Sequence, residues 1–354
     1  VWFVSLSAVA IMILVYFGKD IILNQVFGHI TAEVKGHADI YLLIVTASIP
    51  FIALYNGGAA IFRAMGNSQV SMRVSLLMNA INVTGNAILV FGLRIGTAGV
   101  AIPTLISRMV AAIVITVLLC NQTRILHIER TLKFRFDGRM IRKILAIGVP
   151  NGLENSMFQL GKILVLSLVS TFGTYAIAAN AVSNAIALFQ ILPGMAISLA
   201  ITTVISQCVG ANDYEQVHYY LKKLLVIIYV AMAGTVALIF LALPLILKAY
   251  NLSDQTAAAA TNIIHFHGIS AMIIWPLSFA LPAAYRAAGD AKACMYTSIV
   301  SMWIFRIGFS YLVGKYMGLG VFGVWVAMVI DWVVRAICFV IRYFNGKWKH
   351  GAIV

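Results

Sequence analysis

Glu154, Lys162, Arg306, Asp331 and Arg335 are ionisable residues set inside long apolar runs. An ionisable group at the centre of a bilayer costs at least about 2.5–3.5 kcal/mol unless it is paired or hydrated, so such residues mark ion and substrate pathways. Of eleven acidic residues, only Glu154 and Asp331 lie well inside such runs. A carboxylate there is suited to exchanging a proton or a cation, because desolvation favours its neutral form and a neighbouring cation its charged form. Asp331 and Arg335 are four apart and share a helix face, so a direct pair is expected. Glu154 and Lys162 stand eight apart with Phe158 between them, roughly 12 Å along a helix axis, and need other partners. Arg306 is the expected bridge to Asp331 or Glu154, giving two carboxylates balanced by up to three cations. Glu154 is the expected carrier, because Pro150 and Gly152 weaken the backbone before it and allow a bend. The alternative is a fixed ion-pair cluster that orients its helices.

A second constellation is uncharged: Asn56 on one run, Asn82 and Asn86 a turn apart on the next, and Thr104 on the one after. Carbonyl and hydroxyl oxygens converging from three helices suit a hard monovalent cation such as sodium. The same groups also serve as interhelical hydrogen bonds, which is the plainer reading. His265 and His267, two apart, face different sides of a span start and do not make a shared metal site.

The elements that must position these groups are membrane helices. With 62% hydrophobic residues, 10% charged and a mean hydropathy of +0.97, the composition lies outside the soluble range. Apolar runs of about 18 or more residues, enough for a ~30 Å hydrocarbon layer, fall near 1–18, 41–62, 74–92, 98–119, 145–170, 176–207, 224–246, 262–284, 296–314 and 322–341. About ten transmembrane helices are therefore expected, in an all-α membrane protein, since the alternation of an outer-membrane barrel is absent.

The net charge of +14 does not form a nucleic-acid surface; it is sorted between alternate loops. Arg63, Arg73, Arg124, Arg130, Lys133, Arg135, Arg139, Arg142, Lys143, Lys222, Lys223, Arg286, Lys292, Arg342, Lys347 and Lys349 fall on one side, sixteen against five (Lys19, Lys35, Arg94, Lys248, Lys315) on the other. The positive-inside rule puts the larger set and the C-terminus in the cytoplasm.

Residues 62–75 recur 223 positions later at 285–298, with Arg63/Arg286, Ala64/Ala287, Gly66/Gly289, Met72/Met295 and Ser75/Ser298 identical. An internal duplication of an apolar chain is the pattern of a transporter, and six intervening spans make the two copies parallel. Arg63 and Arg286, each three residues before a glycine, look like structural helix ends. The polar, basic stretch at 121–144 is a cytoplasmic linker between an N-terminal lobe, 1–120, and a C-terminal lobe, 145–345, followed by a cytoplasmic tail, 346–354. Cys120, Cys208, Cys294 and Cys338 lack ligand spacing and are expected as free thiols.

The stretches ALYNGGAAIFRAMGNSQVSM (53–72), GVPNGLENSMFQLGK (148–162), TYAIAANAVSNAI (174–186), SQCVGANDYEQV (206–217) and WVAMVIDWVVR (325–335) together resemble the multidrug and toxic compound extrusion (MATE) transporters. The resemblance implies twelve helices in two six-helix lobes, with the first two absent here and the lobes corresponding to helices 3–6 and 7–12. It also implies a cation-coupled antiporter exporting organic cations or other drugs across the cytoplasmic membrane, with a proton or Na+ as coupling ion and no cofactor. The expected setting is a monomer among lipids and small organic substrates, without nucleic acid. Members with a cation site in the first lobe have a ligand set similar to Asn56, Asn82, Asn86 and Thr104, but with Asp where Asn86 stands. Where other sodium-coupled members carry an Asp on the tenth helix, this chain has Pro276 and its neighbours. Both departures point to protons over sodium. Flexible and flat side chains such as Phe189, Met195, Phe266, Met272, Trp275, Phe279, Met302 and Trp303 suit a drug-binding cleft.

Other classes fit less well. The 208–223 loop lacks the major-facilitator signature, and no His-rich, Asp-paired or Ser/Lys arrangement at a membrane face suggests an enzyme. A lipid-linked saccharide flippase of related architecture and a non-functional truncated transporter remain as alternatives.

Overall fold

A computed structural model of the chain describes residues 2–21, 23, 32–123, 125–128 and 137–351, and every regular element among them is helical. Arg124, Arg130, Lys133 and Arg135 of the linker lie outside these residues. The chain divides into two compact units, Val1–Ile141 and Arg142–Val354. Backbone polar groups in lipid have no water to satisfy them, and helices satisfy them internally.

The first unit holds α1 (Trp2–Ile21), α2 (Ala32–Ala47), α3 (Ile49–Ala64), α4 (Ser68–Asn86), a π-helical continuation of α4 (Ala87–Gly92) and α5 (Thr97–Leu119). Where the sequence suggests one straight span over 41–62, the helix bends by 42° between α2 and α3. Pro50 in the first turn of α3 has no N–H to continue the ladder. Ser48 fills the break: its hydroxyl donates to the Val45 carbonyl at 2.6 Å and accepts from Arg108 Nη1 at 2.6 Å.

The second unit holds α6 (Gly138–Ser170, its first turn belonging to the end of the first unit), α7 (Thr174–Gly210), α8 (Tyr214–Ala249), α9 (Asp254–Trp275), a π-helical Pro276–Ala280, α10 (Leu281–Ala287), α11 (Ala291–Ser301), π-helical Met302–Gly308 and Ser310–Tyr316, and α12 (Gly320–Phe344). Among the described residues, eight helices are long and apolar enough to span a membrane, nine if the bent pair counts as one. The shortfall from ten is α6. It is 33 residues long, but Asn151, Glu154, Asn155, Gln159 and Lys162 interrupt its apolar surface.

The duplicated motif folds the same way twice. Gly66 and Gly289 adopt left-handed φ values of 76° and 90°, the conformation glycine reaches without strain. Each ends its helix with paired bonds: Gly66 N–H to Arg63 O and Asn67 N–H to Phe62 O, then Gly289 N–H to Arg286 O and Asp290 N–H to Tyr285 O. In the second copy Asp290 also pairs with Arg342 at 2.5 Å, tying the turn to the end of α12.

The core of the second unit is aromatic, with Trp275, Tyr285, Trp325, Trp332 and Phe339 buried. Helices α7 and α9 meet closely at Gly194, where an added Cβ would lie 2.4 Å from the Trp275 ring. Gln190, one turn earlier on α7, is fully buried and bonds to His267 on α9. His265 and His267 therefore sit mid-helix rather than at a span start, because α9 begins at Asp254.

Candidate functional site

By direct contact the ionisable residues of the second unit form three groups, linked to one another only by longer-range attraction between Asp331 and the guanidiniums of Arg335 and Arg306. In the first, α6 presents Glu154 to two guanidiniums: Arg286 Nη1 lies 3.4 Å from Oε2 and Arg335 Nη2 lies 3.7 Å from Oε1. Arg335, 2% exposed, also donates to Ser298 Oγ at 2.9 Å, and its guanidinium stands 4.5 Å from the Phe279 ring centre. A cavity of about 160 Å³ opens beside this group, between Asn151, Asn155, Phe158 and Phe279.

The second group is Asp331, fully buried on α12. Its Oδ1 accepts from Ser301 Oγ at 2.5 Å, and its Oδ2 is buried without a hydrogen-bond partner. The expected Asp331–Arg335 pair does not form. The two residues sit one turn apart on α12, but each reaches a different turn of α11: Asp331 meets Ser301, and Arg335 meets Ser298 and then continues to α6. Arg335 Nε and Nη1 remain without hydrogen-bond partners.

The third group is cationic. Lys162 Nζ and the Arg306 guanidinium carbon both stand 5.2 Å from the centre of the Phe158 ring. Arg306 therefore bridges neither Asp331 nor Glu154 as the sequence suggests; its stem leaves π-helical 302–308 toward α6. Lys162 and Arg306 line a cavity of about 210 Å³ together with Asn180, Asn184, Trp325 and Met328. Asn180 Oδ1 accepts from Trp325 Nε1 at 3.1 Å. Among the described residues, no carboxylate forms an ion pair with Lys162 or Arg306.

The first and third groups share one cause. Helix α6 meets its unit through long side chains, and the spaces between those side chains are the two polar cavities. Sequence reading misses Arg286, Ser298, Ser301, Asn180 and Asn184 because their significance depends on which helices α6 and α12 face. One signal was present: Ser71 in the first copy of the repeat is Cys294 in the second, so Arg286 lacks the hydroxyl that Arg63 has.

In the first unit, Asn82 Nδ2 donates to Thr104 Oγ1 at 3.1 Å, Asn86 Nδ2 donates to Asn82 Oδ1 at 3.1 Å, and Thr104 donates to the Val100 carbonyl at 3.0 Å. The Thr104 hydroxyl is thus engaged between α4 and α5, and the Asn82 carbonyl within α4. Asn86 Oδ1 is buried without a hydrogen-bond partner. Asn56 on α3 is exposed and stands outside this chain of bonds. The four cysteines are unpaired, as expected. Of the side chains suited to a cleft, Trp275 and Met302 are buried in packing.

Comparison with known proteins agrees with this architecture. The sequence model of the MatE family matches residues 1–88 and 150–312. The uncharacterized transporter YisQ of Bacillus subtilis is 29% identical over 323 residues, covering 88% of this chain and 69% of its own length. A probable multidrug resistance protein NorM of Thermotoga maritima is 22% identical over 342 residues, 95% of this chain and 72% of its own. A crystal structure of MATE in the bent conformation superposes with a TM-score of 0.86 at 22% identity, covering 98% of this chain and 77% of that one. An outward-facing multidrug resistance MATE transporter of the MOP superfamily gives 0.88 at 21% identity, covering 99% and 78%. The structural likeness carries the fold, and the family match covers well over half of the residues. The chain is a multi-pass membrane protein that belongs to the MatE family, the multidrug and toxic compound extrusion transporters.

Proposed function

We propose that this chain exports organic compounds across the cytoplasmic membrane in exchange for protons, with its C-terminus in the cytoplasm, and that Asp331 carries the proton. The observation behind this reading is the incomplete satisfaction of Asp331: it is fully buried, with one hydroxyl on Oδ1 and no partner on Oδ2. Buried acids of membrane helices serve as proton relays when the surroundings compensate their charge only in part. Glu154, the carrier expected from sequence, is engaged on both carboxylate oxygens by two guanidiniums. It is assigned to holding α6 against the rest of its unit.

Sodium is the weaker candidate. The first-unit oxygens form a neutral chain of hydrogen bonds between α4 and α5, and a neutral site holds a monovalent cation poorly against its hydration. In proteoliposomes, a pH gradient is expected to drive accumulation of members of an organic substrate panel, and an equal sodium gradient is not. Sodium-driven accumulation would overturn proton coupling; movement of a lipid-linked saccharide in place of every panel member would replace export by flipping.

A further inference from the structure

We propose that the cavity between α6 and α7 binds the anionic group of an amphipathic organic molecule, with Lys162 and Arg306 as its two anchors. This deepens the reading of the chain as an exporter of organic compounds and rests on it for the ligand's role, though not for the binding itself.

Two like charges share one aromatic ring: Lys162 Nζ and the Arg306 guanidinium each stand 5.2 Å from the Phe158 centre. A ring's quadrupole attracts a cation but does not neutralise it. Neither acid of the unit's interior touches the pair: Glu154 is held by Arg286 and Arg335, and Asp331, bonded to Ser301, reaches Arg306 only through its longer-range Coulomb attraction. Arg306 Nε is buried with no hydrogen-bond partner. The exposed Lys162 and the half-buried Arg306 therefore present two positive charges and unused donors to the same cavity, with no carboxylate in contact and only the more distant Asp331 offsetting Arg306. A carboxylate or another compact anion between them satisfies both, since a guanidinium offers a planar fork to two oxygens and an ammonium offers a point charge.

The rest of the wall defines the remainder of the ligand. Asn180 and Asn184 supply amides, while Trp325 and Met328 supply apolar surface. At about 210 Å³ the cavity is smaller than the ~300–1,000 Å³ of a site enclosing a drug-sized molecule. It takes the charged head and the first part of an apolar body. The family resemblance leads one to expect organic cations; this cavity repels them.

The test uses one ring system in three charge states: 1-naphthoate, 1-naphthamide and 1-naphthylmethylammonium, titrated against the purified chain in detergent and read by naphthalene fluorescence. No gradient is applied, so the result is independent of coupled export. Naphthoate is expected to bind about tenfold or more tightly than the amide, the scale of a hydrogen bond to a charged group, and the ammonium is expected to bind more weakly than either. Lys162→Gln and Arg306→Gln are each expected to weaken naphthoate about tenfold, with Lys162→Arg restoring most of it. Equal binding of acid and amide, tighter binding of the ammonium, no binding of naphthoate, or naphthoate affinity unchanged in both glutamine variants overturns the proposal. The ligand series needs no variant and stands even if a substitution prevents folding. Naphthoate bound by the chain but moved by no gradient would instead count against the transport reading.

Discussion

Arg286 donates to Glu154 across 3.4 Å, whereas Arg63, in the same place in the first copy of the repeat, donates to Ser71 at 3.2 Å. The two helix ends are otherwise built alike, each closed by a left-handed glycine. The difference follows from one position: the counterpart of Ser71 is Cys294, whose thiol turns to the Pro282 carbonyl. A duplicated structural arginine has thereby become the anchor of α6.

Glu154→Gln is expected to lower the thermal stability of the purified protein while proton-driven transport persists. Removing one partner of a part-buried, hydrogen-bonded charge pair costs about 1.5–3 kcal/mol, and Glu154 has an 11% exposed side chain facing two cations. In a double-mutant cycle, Glu154→Gln with Arg286→Gln should show a coupling of roughly 0.5–3 kcal/mol, because the residues touch. Additive losses of stability would mean that the contact does not hold α6.

Gly66→Ala should destabilise the first unit by about 1–2 kcal/mol, the cost of a left-handed residue with a Cβ. No atom lies within 4 Å of the added carbon, so the whole effect is backbone strain. Gly66→Asn should cost less, since Asn tolerates this conformation. Equal melting temperatures for the alanine variant and the parent would contradict the left-handed turn.

Much of this architecture was legible in the sequence, and for identifiable reasons. Long apolar runs report helices because lipid leaves the backbone no other option, and the recurrence of Arg63 and Gly66 as Arg286 and Gly289 reported a shared turn. The bend at Ser48 was hidden because its cause is spread over Pro50 nearby and Arg108, sixty residues away. The site was legible as a list of charges and illegible as a set of pairs. Spacing along α12 placed Asp331 and Arg335 on one face, but the serines of α11 decide where each side chain points. Likewise, Lys162 and Arg306 were visible as cations inside apolar runs, and only the packing of α6 brings both to Phe158.

Gly194→Ala places a methyl 2.4 Å from the Trp275 ring, between two long helices whose aromatic core leaves little room to yield. Overpacking of this kind costs about 1–3 kcal/mol. The expected readout is a lower melting temperature in detergent. A neutral effect would show that α7 and α9 can separate locally at no cost.

Asn82→Ala removes a link from α4 to α5 and is expected to cost only about 0.6 kcal/mol, the average for an interhelical hydrogen bond in a membrane. Transport under a pH gradient should continue, and adding sodium should change neither the parent nor the variant. Loss of a sodium-dependent rate on this substitution would restore the first-unit oxygens as a cation site.

The most direct measurement compares Asp331→Asn with the parent chain in proteoliposomes by two assays on one preparation: substrate counterflow without any gradient, and accumulation driven by a pH gradient. If Asp331 carries the proton, the variant keeps counterflow, which certifies its folding, and loses gradient-driven accumulation. Accumulation at the parent's level in a variant that keeps counterflow would contradict the assignment and return the coupling step to another group.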